Sequence, residues 1–251
     1  MPAFSFIDAY AMFFIYAFIG WIVEVCFYGL QEGKFVNRGF LNGPLCPVYG
    51  IGFFGVILLL TPFTDSLPLL FFGSLIITTA IEFLAGFILF HIFKLRWWDY
   101  SEFKFNVGGY ICLRFSIYWG LACTVGMKVL QPLTMFILNK TPDIIQIVIL
   151  TVLSVLLIID LIATIAAING AKQKLSLIMD ASTEIRVVSD KIGSSIYDVV
   201  DKTSTLAAPT VEAYSSYKKL YEKHREEEKA LAKKNRTEEK AIFDEYIKLE
   251  K

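Results

Sequence analysis

Long apolar runs fill the first two thirds of the chain, and several of them approach 20 residues in length. At about 1.5 Å per residue, a helix of that length crosses the hydrocarbon core of a bilayer. Apolar residues make up 55% of the 251 residues, and the mean hydropathy is positive, so membrane insertion is the expected fate of these runs. The sequence therefore predicts an all-α, polytopic membrane protein.

Five transmembrane helices are the simplest interpretation of the hydropathy pattern. The second is the weakest, because Pro44, Pro47 and several glycines interrupt its start, and it could be a full span or a re-entrant segment. The five predicted spans are Phe4–Leu30, Leu45–Pro62, Pro68–Phe93, Tyr110–Val129 and Ile144–Asn169. Residues 1–170 then form the transmembrane domain, and residues 171–251 form a cytoplasmic helical tail.

Two carboxylates, Glu24 and Glu82, lie inside predicted spans, where an ionised group without a partner or a function is costly. Similar segments follow them: Gly39-Phe-Leu-Asn-Gly-Pro-Leu-Cys-Pro-Val-Tyr-Gly50 after the first, and Gly109-Tyr-Ile-Cys-Leu-Arg-Phe-Ser-Ile-Tyr-Trp-Gly120 after the second. Both begin with glycine, an aromatic and an aliphatic residue, and both end with an aromatic residue and glycine. The pattern predicts a duplicated hairpin, over residues 5–62 and 68–130, with a polar site between its copies and a fifth span over residues 144–169.

The basic residues predict the orientation of the chain. Lys34 and Arg38 lie in the first loop, and Lys94, Arg96 and Lys104 lie in the third, whereas the N-terminus has no basic side chain. The tail also begins with lysines. Because loops rich in lysine and arginine stay in the cytoplasm, we expect the N-terminus outside and the tail inside.

Several function classes lack support in the sequence. The chain has no basic stripe for nucleic acid, no GxxxxGK[ST] phosphate loop, and no GxSxG or HExxH motif. The four cysteines are single residues in or beside apolar runs, without the spacing of a metal or redox site. We therefore expect no metal and no cofactor, and the sequence favours a protein without enzymatic activity over an enzyme.

Three strings resemble a known family: Gly20-Trp-Ile-Val-Glu24, the segment from Lys34 to Gly50, and Arg96-Trp-Trp-Asp-Tyr-Ser101. A later stretch from Asn106 to Gly120 extends the likeness. The chain is similar to the bacterial membrane proteins grouped as ABC-transporter permeases of the CmpB type, over roughly residues 5–140. The resemblance implies a multi-pass protein of the bacterial cytoplasmic membrane, and it transfers no mechanism.

The polar residues at membrane depth give the candidate site. An ion pair between a glutamate and Arg38 or Arg114 would lower the free-energy cost of burying both charges. Such a pair could belong to a pathway, or it could only join two helices. The segment from Arg96 to Ser101 is typical of an anchor to anionic headgroups, or else it is part of the site. Asp160 is a third intramembrane acid that could pair with Lys128. The candidate pathway residues are Glu24, Arg38, Asn42, Glu82, Trp98, Asp99, Tyr100 and Arg114.

The tail has a different composition. Isoleucine, valine and leucine recur every seven residues at Ile178, Ile185, Ile192, Val199 and Leu206, which indicates a narrow seam for helix pairing. After Pro209 a second, highly charged helix is predicted. It either folds back as an antiparallel hairpin or pairs with a second copy of the chain.

Three functions compete on these grounds. A permease component for an unidentified small solute or lipid is favoured, acting as a homo-oligomer or with a separate ATPase or another cytoplasmic partner. A membrane scaffold or sensor would instead recruit cytoplasmic proteins through the coiled-coil tail. An intramembrane lipid-modifying enzyme would use a glutamate as general base.

Overall fold

The structure, a computed structural model, describes residues 4–33, 35, 40–94, 96–168 and 176–206. These residues are mostly α-helical, as the sequence predicts. Four helices are long and apolar enough to cross a membrane, and a fifth apolar helix, Pro47–Phe63, is shorter. Arg38 and the segment after Leu206, including the predicted second tail helix, lie outside the described residues.

The first helix, α1, covers Phe6–Glu32 and has defined signals at both ends. At its N-terminus, Ser5 and Asp8 form a capping box in which each side chain accepts a hydrogen bond from the other residue's backbone N–H. At its C-terminus, Gly33 has a φ of 62°, a left-handed conformation that glycine adopts without strain. The helix agrees closely with the predicted span Phe4–Leu30.

The second helix, α2 (Pro47–Leu60), begins near the middle of α1 rather than at its C-terminal end. The N–H of Cys46, the residue before α2, donates to the carbonyl of Ala17 at 2.9 Å. Pro47 suits the first helical position, where no N–H is needed. The irregular segment from Phe40 to Cys46 therefore lies at membrane depth, covered by neighbouring helices. A 3₁₀ turn, Thr61–Phe63, ends the helix.

The third helix, α3 (Leu67–Phe93), reproduces the predicted span Pro68–Phe93. It ends at Lys94, whose φ of 57° is left-handed. The connection to the next helix contains a small antiparallel hairpin, β1 (Asn106–Val107) and β2 (Ile111–Cys112). This connection folds back along α3 instead of extending into solvent, since Trp98 and Tyr110 both contact the α3 position of Gly86.

The fourth span is longer than predicted. Helix α4 (Leu113–Val125), a π-helical turn (Gly126–Leu130) and helix α5 (Gln131–Lys140) form one continuous apolar helix of 28 residues. The predicted span, Tyr110–Val129, ended before Gln131 and Pro132. The helix continues past them because the π turn accommodates Pro132, which lacks an N–H, near the start of α5.

The last two helices of the described part of the chain are α6 (Asp143–Ile168) and α7 (Ser176–Leu206). Helix α6 matches the predicted fifth span, Ile144–Asn169. In the bundle, α2 packs between α1 and α3, α4 packs on α3, and α6 packs on α1. Helix α7 contacts both α1 and α6, so the described start of the tail lies against the membrane bundle.

Candidate functional site

Glu24 and Glu82 approach each other inside the bundle, on α1 and α3. Glu24 lies eight residues before the end of α1, and Glu82 lies 11 residues before the end of α3, which correspond to about 12 and 16 Å along the helix axes. Both side chains are half-buried. The aromatic donors of the two acids meet between α2 and α4. The shared site of the two acids stays a prediction.

Aromatic side chains donate hydrogen bonds to both carboxylates. The Tyr49 hydroxyl, on α2, donates to Oε1 of Glu24. Oε1 of Glu82 accepts from the Tyr100 hydroxyl at 2.9 Å and from the indole N–H of Trp119, on α4, at 3.2 Å. These three donors are neutral, so they orient the carboxylates without cancelling their negative charge.

The two halves of the site touch through their aromatic rings. The rings of Tyr49 and Trp119 meet edge to face, with centroids 5.2 Å apart and planes at 90°. The second oxygen of Glu82, Oε2, is buried and has no hydrogen-bond partner among the described residues. A carboxylate oxygen in this state can accept a proton or a hydrogen bond from a bound solute.

A glycine on α1 makes room for one of these donors. A Cβ atom at Gly20 would overlap Cβ and Cγ of Tyr49. Because Gly20 has no side chain, the ring of Tyr49 lies directly on the backbone of α1, one helical turn before Glu24. This close approach explains how the hydroxyl of Tyr49, on the short helix α2, reaches the carboxylate of Glu24 on α1.

The connection between α3 and α4 positions Tyr100. The indole N–H of Trp98 donates to the carbonyl of Tyr110 at 2.9 Å, and the N–H of Tyr100 donates to the carbonyl of Gly109 at 2.8 Å. The Tyr100 ring stacks on Phe115 with centroids 4.7 Å apart. Trp98 therefore supports the site indirectly, through the loop that carries Tyr100.

Asp99 stabilises the same loop from its exposed side. It accepts hydrogen bonds from the hydroxyl and the N–H of Ser101, and it forms an ion pair with Arg96 at 3.5 Å. The Ser101 hydroxyl, with smaller contributions from the Ser101 N–H and from Arg96, lowers the pKa of Asp99 below its usual value. Asp99 therefore acts on the loop itself, since its bonds to Ser101 and Arg96 both lie within that connection.

Arg114 lies on the exposed start of α4. Its guanidinium donates to the Tyr118 hydroxyl at 3.1 Å and lies over the rings of Phe103 and Tyr118, 5.8 and 5.6 Å from their centroids. These aromatic contacts place it at the edge of the bundle. The predicted partnership of a glutamate with Arg38 or Arg114 stays a prediction.

Asn42 belongs to a second polar cluster, around Asp160. The Asp160 carboxylate is 3% exposed and accepts from the N–H groups of Gly43 at 2.7 Å and Asn42 at 3.3 Å, and from the hydroxyl of Ser182 at 2.9 Å. The Asn42 amide also donates to Thr164 and Ser182. Backbone amides and a hydroxyl, rather than Lys128, therefore satisfy this buried acid, and they join the irregular segment before α2 to α6 and α7.

The donors Tyr49 and Trp119 were not among the residues predicted for the site. A signal for them was present, since each is the aromatic residue that precedes the final glycine of its repeated segment. Those glycines, Gly50 and Gly120, pack on the helix that carries the acid of the same hairpin. The aromatic residue one position earlier is thereby directed toward the glutamate.

Comparison with known proteins agrees with this architecture. The family model described as "Putative ABC-transporter type IV" matches residues 11–165. The chain belongs to this family. The matched range contains Glu24, Glu82, their aromatic donors and Asp160. No curated protein and no solved structure matches the chain. Membership agrees with the resemblance found in the sequence and identifies an ABC-transporter-type membrane protein.

Proposed function

We propose that this chain is the permease subunit of a transporter, with a solute pathway that passes between Glu24 and Glu82. The observation that carries the proposal is the meeting of two intramembrane carboxylates from different hairpins, held by neutral donors. Charged groups at this depth are costly and typically mark substrate or ion pathways. A solute with a cationic or hydrogen-bond-donating group would be stabilised by such a site.

A structural repeat supports the proposal. Gly50 on α2 lies against Phe13 and Ala17 of α1, which are 11 and seven residues before Glu24.

The second hairpin has the same arrangement. Gly120 on α4 lies against Phe71 and Leu75 of α3, which are 11 and seven residues before Glu82. Helix positions and contacts therefore correspond in the two hairpins, as expected of a duplication. Transporters built from repeats place their substrate site at the interface between the copies, and the two acids lie at that interface here.

Irregular backbone at membrane depth also supports a pathway. The segment from Phe40 to Cys46 precedes α2, and the folded loop from Lys94 to Cys112 precedes α4. Backbone of this kind is tolerated within a membrane only where protein covers it or where it lines a watery cavity. The chain has no phosphate-loop motif, so we assign ATP hydrolysis to a separate partner on the cytoplasmic side.

The test is water access to the site. In full-length protein with Cys26, Cys46, Cys112 and Cys123 replaced by serine, Glu82→Cys is expected to react with a cationic methanethiosulfonate in membrane vesicles. The matched control is Leu84→Cys, two residues further along α3, whose parent side chain is 54% exposed on the outer surface of the bundle and faces lipid there.

The two variants separate a pathway from a dry contact. Only a thiol that reaches water ionises and reacts quickly with the reagent. We expect labelling of Glu82→Cys within minutes and none of Leu84→Cys. Equal labelling of the two variants, or none of either, would count against a solute pathway.

A further inference from the structure

A groove opens at the end of the bundle opposite the two glutamates, next to the turn that follows α2. Its volume is about 410 Å³, within the range of sites that hold small molecules. Phe4, the turn at Thr61 and Thr64, and one face of the π turn and α5 form its walls. The lining residues are Phe4, Thr61, Thr64, Met127, Lys128, Gln131, Pro132 and Met135.

The π-helical turn sets the shape of this groove. Just before the groove, Gly126 lets the helix approach α2 so closely that a Cβ atom there would overlap the ring of Phe53. The π turn contains Lys128, adds a residue to the helical repeat and rotates the residues that follow it. Pro132 has no N–H to donate to the preceding turn. The helix therefore contacts α2 at Gly126 and lines the groove from Met127 onward.

The groove combines a cation with apolar walls. Lys128 is exposed, and it takes part in neither of the ion pairs found among the described residues, Arg96–Asp99 and Arg186–Asp190. None of the described lining residues is acidic. The Gln131 amide accepts from Tyr16 and donates to the sulfur of Met12, which leaves a second amide hydrogen for a ligand.

We propose that this groove binds an anionic phospholipid, with the phosphate at Lys128 and Gln131. The ammonium supplies the charge-assisted hydrogen bonds that a phosphate oxygen accepts. Phe4, Met127 and Met135 contact the first carbons of the acyl chains. Neighbouring positions on the same helix, Val129, Leu133 and Phe136, are exposed on the surface that faces lipid, so the chains continue into the bilayer.

The site is independent of the proposed pathway. It lies on other residues, and a lipid bound there needs no transport. If an experiment overturned one of the two proposals, the other would still hold.

The experiment measures lipid binding to purified full-length protein by native mass spectrometry. The probes are phosphatidylglycerol, phosphatidylcholine with the same acyl chains, and inorganic phosphate. Lys128→Met removes the charge at the groove. Lys140→Met is the matched control, because Lys140 lies on the same continuous helix but outside the groove, over the ring of Phe136 at 4.2 Å.

We expect one phosphatidylglycerol molecule to bind tightly to the natural protein and to the Lys140→Met variant. Binding should fall about tenfold in Lys128→Met, since one charge-assisted hydrogen bond is lost. Equal binding of phosphatidylcholine would overturn the proposal, and so would competition by inorganic phosphate alone, which indicates a free-anion site.

A second variant keeps the test valid if Lys128→Met does not fold. Thr64→Trp retains the charge but fills the groove from its opposite wall. It should reduce phosphatidylglycerol binding while leaving the protein's melting temperature near that of the natural chain. Unchanged binding in the folded Thr64→Trp protein would contradict a lipid in this groove.

Discussion

Glu82 is held by two donors that come from different parts of the chain, one from a loop and one from α4. Both donors bind the same oxygen, Oε1, and the other oxygen has no partner among the described residues. Loss of either donor leaves the partly buried carboxylate with one hydrogen bond fewer, which raises its desolvation cost. The residues of the site should therefore contribute measurably to stability as well as to function.

Tyr100→Phe removes one donor and keeps the ring that stacks on Phe115. We expect it to lower the free energy of unfolding by about 1–3 kcal/mol, seen as a lower melting temperature in detergent. Tyr118→Phe is the control, because Tyr118 is 45% exposed and its hydroxyl contacts Arg114 rather than a glutamate. Glu82→Leu removes the acceptor, so in a double-mutant cycle it should abolish the effect of Tyr100→Phe; an unchanged effect would mean that the hydrogen bond is not its cause.

Gly109→Ala tests the loop that carries Tyr100. Gly109 has a φ of 74°, and a Cβ atom there would overlap Asp99, Arg96 and Ser101. The substitution should displace the loop and destabilise the protein by more than the strain of a left-handed alanine, about 1 kcal/mol.

Gly33→Ala separates these two causes. Gly33 has a similar φ of 62°, but among the described residues no atom lies within 4 Å of the added Cβ, so Gly33→Ala tests the backbone strain without the overlap. We expect the melting temperature to fall further for Gly109→Ala than for Gly33→Ala. Equal changes would mean that the loop tolerates a side chain at Gly109.

At the scale of helices, hydropathy predicted α1, α3 and α6 to within a few residues, because each is bounded by turn or capping residues. It ended the fourth span at Val129, since a hydropathy window cannot show that a π turn carries the helix past Lys128. In the described part of the tail, the buried positions are Ser182, Ser189 and Gly193, while Val199 of the predicted seam is 65% exposed. Pairing through the seam stays a prediction.

The partners of the polar residues were harder to predict for a physical reason. Asp160 is satisfied by backbone N–H groups of a segment more than a hundred residues away, and every residue except proline carries such a group. Sequence therefore identifies the buried acid but not its donors. By contrast, the repeated segments place Glu24 and Glu82 at equivalent positions of their hairpins, so sequence indicates both acids together.

Asp160→Asn tests how α7 is held on the bundle. An amide has one acceptor oxygen, and its NH₂ group would face the N–H of Gly43 or Asn42 in place of a carboxylate oxygen. We expect amide hydrogens in Ser176–Leu206 to exchange about tenfold faster, as measured by mass spectrometry. Asp143→Asn, at the exposed start of α6, is the control. Unchanged exchange in α7 would show that other contacts hold it.

The membrane topology of the whole chain depends on whether α2 crosses the membrane. It has 17 residues with its 3₁₀ turn, which is about 25 Å and slightly less than the hydrocarbon thickness. The irregular segment before it begins near the C-terminal end of α3, where Phe40 contacts Phe93 and Trp97. With this segment, the chain nevertheless returns to the opposite end of the bundle.

This return makes the number of crossings odd, so Ser5 and the exposed Ser194 on α7 should lie on opposite sides of the membrane. In the protein without its native cysteines, an impermeant maleimide added to intact cells is expected to label Ser5→Cys and not Ser194→Cys, because basic loops stay inside. In inverted vesicles the pattern should reverse, and both variants should react in detergent. Labelling of both variants from the same side would mean an even number of crossings. In that case α2 would be re-entrant, and the two hairpins could not be parallel repeats around a shared pathway.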